Sequence, residues 1–217
     1  MTMEALRYTL LMDGRSDEAL IPILNWLLQD LGVKAPIQPE CADLTRFQPK
    51  TLSKRMKIAL DLFPCDLLFV HRDSEAEPRQ TRRDEIQRAV NEYRSDSLPS
   101  VVEIVPVIPI RMTEAWLLTS EPAIRAAAGN RNGTVPLPMP RIQKLEDLPD
   151  PKKVLHDLLR AASEKRGRRL KDLKLYQCAS QIPLATTDFS LLRQLAGFRA
   201  LEADLRRWLR AHEPRFR

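Results

Sequence analysis

The sequence predicts an α/β protein in which a mainly parallel sheet is flanked by helices and followed by a helical C-terminal part. Between residue 7 and about residue 120, strand-like runs alternate with helix-like runs, which is the order of elements in consecutive β-α-β units. The strand-like runs are apolar throughout instead of alternating with polar residues, as expected for strands that are covered on both faces. Beyond residue 150 the repeating pattern is helical only.

The first strand and the first helix are separated by a turn. RYTLLM, residues 7–12, is predicted as a short strand, and Asp13-Gly14 ends it. Ser16 can cap a helix that begins near Asp17 and repeats apolar residues at helical spacing. That helix is expected to stop at Gly32, because glycine readily takes the left-handed conformation that ends helices.

The remaining elements of the first half follow from the same signals. Hydrophobic periodicity and strand propensity predict, in chain order, a second strand within 33–44, a helix at 51–63, a strand at 66–70, a charged and exposed helix at 79–95, a strand at 101–110 and a helix from Thr113. The run at 101–110, VVEIVPVIPI, is the longest β-branched run of the chain.

These elements divide the chain into three regions. Residues 1–120 are the α/β core, and residues 151–217 are a basic helical part, with helices at 151–165 and 188–211, that packs on the core. Residues 121–150 are rich in proline and lack periodicity, which predicts a loop or a mobile lid.

Composition excludes several classes of protein. With 43% apolar residues among 217, the chain can bury an ordinary core. It has no stretch of the roughly 18 apolar residues that a membrane span requires, and its first residues lack the apolar segment of a signal peptide. Cys41, Cys65 and Cys178 are scattered and odd in number, which argues against a disulfide framework and a zinc site. These observations predict a cytoplasmic protein without a membrane partner.

Positive charge is concentrated in the second half of the chain. The net charge is +6, and the densest basic runs are EKRGRRLKDLK and RRWLRAHEPRFR. Such runs suit nucleic acid as a partner, and solvated helix faces are the alternative. Lys171 and Lys174 are the candidate nucleic-acid contacts in the first run. The sequence contains none of the glycine-rich motifs that cradle nucleotide phosphates, which argues against binding through such a loop.

Carboxylates follow three of the predicted strands. Asp13 ends the first strand, Asp73 and Glu75 follow DLLFV, and Glu114 lies four residues beyond VVEIVPVIPI. The carboxyl ends of parallel strands meet at one edge of the sheet, so we expect these side chains to gather there. A cluster of carboxylates is stable mainly when a cation neutralises it, and ligands that are all oxygen suit Mg²⁺ or Mn²⁺.

Several segments resemble motifs of the Toprim family. MDGRSDEALIPILNWLL resembles the first motif, in which Glu-Gly precedes an acid and a leucine-rich helix, and LLFVHRDSE resembles the second, Asp-x-Asp after a buried strand. PVIPIRMTEAWLL resembles a strand-to-helix element with a Glu-Ala-Trp core in a Toprim-like group of bacterial proteins of unassigned function. DPKKVL and DFSLLRQLAGFRAL resemble the helical C-terminal part of that group. The resemblance covers most of the chain and implies a Toprim-like, Rossmann-like fold.

The resemblance also implies metal-dependent phosphodiester chemistry, as in topoisomerases, primases and overcoming-lysogenization-type nucleases. Carried onto this chain, it assigns Asp13 to proton transfer and metal binding, and assigns Asp73 and Glu75 to the binding of Mg²⁺. Asp13 is one methylene shorter than the usual Glu, and Glu75 is longer than the usual Asp. Both charges are kept while the reach of each side chain changes. Glu114 is a candidate fourth ligand.

Other residues beside these motifs have two interpretations each. His71 is a candidate general base or phosphate contact, or a structurally satisfied side chain. Arg72 and Arg111 can bind nucleic-acid phosphate or balance the acids. Asp17 suits either the site or the start of its helix, where an acid is favourable in any case.

The expected function is that of a Toprim-type, metal-dependent nuclease that cuts DNA or RNA in a bacterial anti-phage defence or repair system. The alternative is a non-catalytic Toprim-like subunit that binds a partner ATPase or nucleic acid, which the aspartate at position 13 favours. A phosphatase or nucleotide hydrolase on the same acidic edge is a third interpretation. The ATPase partner is implied by the resemblance alone, and assembly into a homo-oligomer is left open.

Overall fold

The computed structural model of the chain describes residues 4–44, 46–47, 49–96 and 102–216. Within these ranges the strands are β1 (Leu6–Leu11), β2 (Ile37–Ala42), β3 (Leu67–His71) and β4 (Glu103–Val107). The helices are α1 (Leu20–Asp30), α2 (Leu52–Leu62), α3 (Arg79–Asp96), α4 (Glu114–Leu117), α5 (Glu121–Ala127), α6 (Pro151–Ser163), α7 (Gly167–Lys171), α8 (Leu175–Ala185) and α9 (Ala196–Phe216). Short 3-10 helices lie at Arg15–Ala19, Ile142–Asp147 and Ser190–Gln194.

The strands form a four-stranded, all-parallel sheet in the order β2-β1-β3-β4. The predicted α/β class, with a parallel sheet flanked by helices, is confirmed. The direction in which strands are added reverses between β1 and β3, which lie side by side with Leu11 paired to Val70. In open parallel sheets a crevice forms at such a reversal, outside the carboxyl ends of the strands. The segments that follow β1 and β3 therefore meet there.

Apolar side chains cover both faces of the sheet, as the continuous apolar runs predict. In β3, Phe69 belongs to a core formed with α1 and the C-terminal helices, while Leu68 and Val70 belong to a second core under α2 and α3. Successive strand residues point to opposite faces, so a fully buried strand contributes to both cores. Trp116 of α4 packs edge-on against Phe198 of α9, with ring centroids 5.4 Å apart, which joins the helical part to the first core.

The last helix is fixed to the edge of the α/β core. The helix predicted to end at residue 211 continues to Phe216, whose side chain is buried. The Phe216 carbonyl accepts hydrogen bonds from the backbone N–H groups of Lys34 (3.0 Å) and Ala35 (3.3 Å). These tertiary contacts stabilise the last turn, which local sequence signals do not predict.

The segment 121–150, predicted as a loop or mobile lid, contains ordered helical structure. It begins with α5, which Ser120 caps by accepting a hydrogen bond from the Ala123 N–H at 3.3 Å, and it includes the 3-10 helix Ile142–Asp147. A carboxylate oxygen of Glu164 accepts hydrogen bonds from the backbone N–H groups of Thr134 (2.7 Å) and Val135 (3.0 Å). Side chains outside the segment thus hold its irregular part in place.

The helix α8 lies in a stretch for which the sequence pattern predicts no element. Pro183 interrupts the helical pattern, and Lys174, at its start, has no side-chain oxygen with which to cap it. Packing supplies what the local signals lack, because α8 lies against α5, α6 and the 3-10 helix Arg15–Ala19.

Parts of the predicted regions lie outside the described residues, namely 1–3, 45, 48, 217 and the stretch 97–101, in which the predicted strand 101–110 begins. None of the helices within the described ranges has both the length and the apolar character needed to cross a bilayer.

Candidate functional site

The candidate site lies where the chain leaves β1 and β3, at the reversal of the strand order. The turn after β1 carries Asp13 and Asp17, and β3 ends in His71, which Asp73 follows. Backbone hydrogen bonds continue beyond β3: the Arg72 N–H donates to the Val107 carbonyl at 3.1 Å. The loop after β3 is therefore held against the segment after β4.

A buried chain of hydrogen bonds joins these segments. His71 is 1% exposed at its side chain and Asp17 is 7% exposed. The His71 Nδ1 lies 2.9 Å from a carboxylate oxygen of Asp17, and its Nε2 lies 3.2 Å from Asp73 Oδ1 and 3.1 Å from the Thr113 hydroxyl. Asp73 Oδ1 also accepts from the Thr113 backbone N–H at 2.9 Å. One imidazole thus connects the segments that follow β1, β3 and β4.

The charge states of this chain follow from its contacts. Burial alone would lower the pKa of His71, but its hydrogen bonds to Asp17 and Asp73 outweigh burial and raise that pKa to about 9. Burial opposes the charge of Asp17, yet its bonds to His71 and to the backbone N–H groups of Asp13 and Gly14 keep its pKa below the usual value. Near neutral pH the chain is an imidazolium between two carboxylates.

Asp73 opens onto a cleft of about 520 Å³ between the sheet edge and the C-terminal helices. The core side of the cleft is lined by Asp17, Asp73, Thr113 and Glu114, and the helical side by Lys152 and His156 of α6 and Tyr176, Gln177 and Ser180 of α8. Burial raises the pKa of Glu114, and the nearby charges of Asp73 and Asp17 add to that rise, while Lys152 opposes it. The floor of the cleft therefore holds crowded negative charge.

The other two predicted carboxylates lie in a chain of ion pairs on the α2 and α3 side. Asp13 is 32% exposed and is held between Arg55, at 2.7 Å, and Arg72, at 2.9 Å. Arg72 also contacts Glu85 at 3.0 Å. Through Glu85 this chain continues to Arg82 (3.1 Å) and then to Glu75 (3.4 Å). Arginines therefore balance both Asp13 and Glu75.

Two non-glycine residues adopt positive φ in the loops after β3 and β4. Glu75 has φ 54° and Arg111 has φ 68°, and the Glu75 N–H donates to the Arg111 carbonyl at 2.8 Å. The Arg111 N–H in turn donates to the Ser74 hydroxyl at 2.8 Å. Such conformations cost of order 1 kcal/mol or more and persist where surrounding contacts enforce them. These hydrogen bonds join the loop after β3 to the loop after β4.

The four predicted nucleic-acid contacts have different surroundings. Arg72 is half-buried in the ion-pair chain, and the backbone N–H of Arg111 donates to the Ser74 hydroxyl in the loop after β3. Lys171 and Lys174 are exposed, on α7 and directly before α8. The last two precede Tyr176 in the sequence by five and two residues.

The acids of the cleft fit a hard divalent cation by the kind of donor they supply. Carboxylate oxygens are preferred ligands of Mg²⁺ and Mn²⁺, and Asp73 and Glu114 both line the cleft. The described residues contain no group of three or more His, Cys, Asp or Glu side chains arranged to hold one ion. The four carboxylates predicted to gather, Asp13, Asp73, Glu75 and Glu114, are brought to one edge of the sheet but divide between the cleft and the ion-pair chain.

Sequence patterns gave no clear signal for several residues of the cleft. The sequence allows Asp17 either a role in the site or a role at the start of its helix, and the structure shows its carboxylate bound to His71. Lys152 and His156 lie four residues apart and so share one face of α6, a spacing that indicates a common surface once a helix is predicted there. Tyr176 belongs to α8, which lacked a signal of its own.

Comparisons with models of protein families, with curated proteins and with solved structures find no match for this chain.

Proposed function

We propose that the chain is a Toprim-type, metal-dependent nuclease whose active site is the cleft between the sheet edge and the C-terminal helices. The observation that carries the proposal is that Asp17, Asp73 and Glu114 line the same cleft, where burial first and then the charges of Asp73 and Asp17 raise the pKa of Glu114. Crowded carboxylates at a site open to solvent indicate a place for a cation.

In this proposal Asp73 and Glu114 hold the metal ion. The chemistry that Mg²⁺ or Mn²⁺ supplies at such a site is electrostatic stabilisation of the phosphoryl group and activation of water. Asp17 stays bound to His71 and to two backbone N–H groups, which suits it to support Asp73 rather than to contact substrate. The protein thereby presents the Asp73 carboxylate in one fixed orientation.

The role proposed for His71 is positioning. A general base needs a free lone pair, and an imidazolium whose two nitrogens both face carboxylates has none to offer near neutral pH. His156 is better suited to accept a proton, because it lines the cleft and burial, followed by the nearby charges of Lys152 and Arg160, lowers its pKa. Lys152, 3.8 Å from Glu114, is placed to attract a phosphate into the cleft.

Cleavage tests the proposal directly. Purified protein is incubated with single-stranded DNA, double-stranded DNA and total tRNA, each with Mg²⁺, with Mn²⁺ and with EDTA. We expect cleavage of one of these polymers that requires metal and is lost in Asp73→Asn. Asp61→Asn, at an exposed aspartate of α2, is the matched control and keeps full activity. Metal-independent cleavage, or an Asp73→Asn variant as active as the control, contradicts the proposal.

A second function is favoured by one observation, the pairing of Asp13 with Arg55 and Arg72. A carboxylate already neutralised by two arginines is poorly placed for proton transfer, which supports a non-catalytic Toprim-like subunit that binds nucleic acid or a partner ATPase. Calorimetric titration with Mn²⁺ separates the two functions. Binding that is lost in Glu114→Gln supports the nuclease, whereas no binding together with no cleavage supports the non-catalytic subunit.

A further inference from the structure

We propose that Tyr176 is a stacking platform for one base of a single-stranded nucleic acid whose phosphate lies at Lys152. The inference deepens the proposed function and rests on it, because it assigns the substrate class of the same cleft. A measurement of nucleic-acid binding tests it without requiring cleavage.

Tyr176 is a large aromatic residue left in solvent at the rim of the cleft. It is 66% exposed, although two neighbouring side chains contact its ring. The His156 ring meets it edge-on, with centroids 5.2 Å apart, and the Lys152 Nζ lies 5.0 Å from its ring centroid. A held but exposed ring loses little freedom when a planar ligand stacks on it.

Lys152 connects this ring to the acidic floor. Its Nζ lies 5.0 Å from the Tyr176 centroid and 3.8 Å from a carboxylate oxygen of Glu114. A single ammonium group therefore neighbours both the proposed base platform and the proposed metal-binding acids. A nucleotide whose base stacks on Tyr176 can place its own phosphate at Lys152, beside the reacting centre.

An exposed basic segment directly precedes Tyr176 in the sequence. Its cations are Lys165, Arg166, Arg168, Arg169, Lys171 and Lys174, all of them exposed. Asp172 is the acid within this stretch, and it lies 3.9 Å from Arg168. The segment keeps a large excess of positive charge, which attracts a phosphate backbone without reading its sequence.

The combination of a basic segment and an exposed aromatic ring favours single strands over duplexes. In a duplex both faces of each base are covered by neighbouring bases, whereas an unpaired base offers a free face to an aromatic side chain. Stacking of this kind tolerates any base, so the preference concerns strand form and not sequence.

Binding of fluorescently labelled twelve-nucleotide strands, measured by anisotropy in EDTA, tests the proposal without cleavage. The probes are a deoxythymidine strand, the same strand with abasic sugars, a duplex and thymidine monophosphate. We expect Tyr176→Ala to bind the thymidine strand about tenfold more weakly and Tyr176→Phe to bind it like the wild type. Leu184→Ala is the matched control, since Leu184 lies on the same helix and is also 66% exposed, and its affinity stays unchanged.

The abasic strand separates stacking from charge. Wild type and Tyr176→Ala should bind it equally, while Arg168→Gln with Arg169→Gln weakens both strands alike and flattens the salt dependence. Equal affinity of wild type and Tyr176→Ala for the thymidine strand overturns the proposal, as does stronger binding of the duplex or of the mononucleotide. Absence of cleavage with Tyr176-dependent binding contradicts the nuclease alone, and cleavage without that dependence contradicts the platform alone.

Discussion

Asp13 and Asp17 lie four residues apart in the segment after β1, yet their carboxylates differ in partners and in exposure to solvent. Asp13 is partly exposed and contacts two long arginine side chains from α2 and from the loop after β3. Asp17 is buried, and the His71 imidazole contacts both Asp17 and Asp73. Asp13 is part of an ion-pair chain with arginines, whereas Asp17 holds His71, which contacts Asp73 in the cleft.

The difference shows how a protein can keep one group of acids neutralised and another available. Half-buried arginines balance Asp13 and Glu75, whose carboxylates water still solvates in part. In the cleft, Glu114 is less exposed than Asp13, and Lys152 offsets only part of the rise that burial causes in the pKa of Glu114. The two cations His71 and Lys152 face the three carboxyl groups of Asp17, Asp73 and Glu114, so ionised Glu114 leaves an excess of negative charge that favours a cation.

The largest expected effect separates the two groups by activity. Asp73→Asn should lower metal-dependent cleavage about a thousandfold or more, in the range seen when a main electrostatic group of an active site is removed. Asp13→Asn should lower it less than about tenfold, because its charge is already balanced by arginines. Initial cleavage rates of the two variants at saturating Mg²⁺ measure the difference. Equal losses would mean that Asp13 also acts in the cleft.

The two groups should also differ in stability. His71→Gln removes the cation between two buried or half-buried carboxylates and should lower the free energy of unfolding by about 3–5 kcal/mol. Arg55→Gln removes one of two arginines from a more exposed carboxylate and should cost about 1 kcal/mol or less. Urea unfolding of the metal-free variants measures both values. A cost for Arg55→Gln as large as that for His71→Gln would contradict the comparison.

Above pH 6.5 the buried His71 should make the main contribution to the pH dependence of stability. The folded-state pKa of His71 is raised to about 9, above its value in the unfolded chain. Its contribution to stability is therefore complete below about pH 6.5 and is lost as pH rises through about 9. Thermal unfolding in EDTA between pH 6.5 and 9.5 should show a larger decline in the wild type than in His71→Gln, in which only the thiols of Cys41, Cys65 and Cys178, whose pKa values burial also raises, contribute to the decline at the alkaline end. A decline of equal size in both proteins would assign it to other groups.

The smallest expected effect concerns Glu114. Because burial and nearby charges raise its pKa, the ionised side chain is unfavourable in the metal-free protein at pH 7. Glu114→Gln should raise the free energy of unfolding by about 1 kcal/mol or less in EDTA and should abolish the stabilisation that Mn²⁺ confers on the wild type. Glu18→Gln, at an exposed acid on the same cleft, serves as the control. A variant that Mn²⁺ still stabilises would remove Glu114 from the proposed metal site.

Local signals were sufficient for the α/β core and insufficient for the second half. The strand run that ends in His71 and the capped helix after Thr51 follow from patterns a few residues long. The helix α8 and the last turn of α9 do not, because packing stabilises them instead: α8 lies against α5 and α6, and Phe216 is buried against the core. The segment 121–150, predicted as a loop or mobile lid, contains α5 and a 3-10 helix that its local pattern did not indicate, and a carboxylate from outside the segment binds its irregular part.

Apolar runs and helical periodicity, which are patterns a few residues long, were enough to predict the parallel sheet and the arrival of Asp13, Asp73, Glu75 and Glu114 at its carboxyl edge. Contacts between distant parts of the chain set which of these acids arginines balance and which line a cleft. That choice depends on partners far away in sequence, such as Arg55 for Asp13 and His71 for Asp17. The charge of a carboxylate is known from its residue type, but its availability depends on what the fold places within a few ångströms of it.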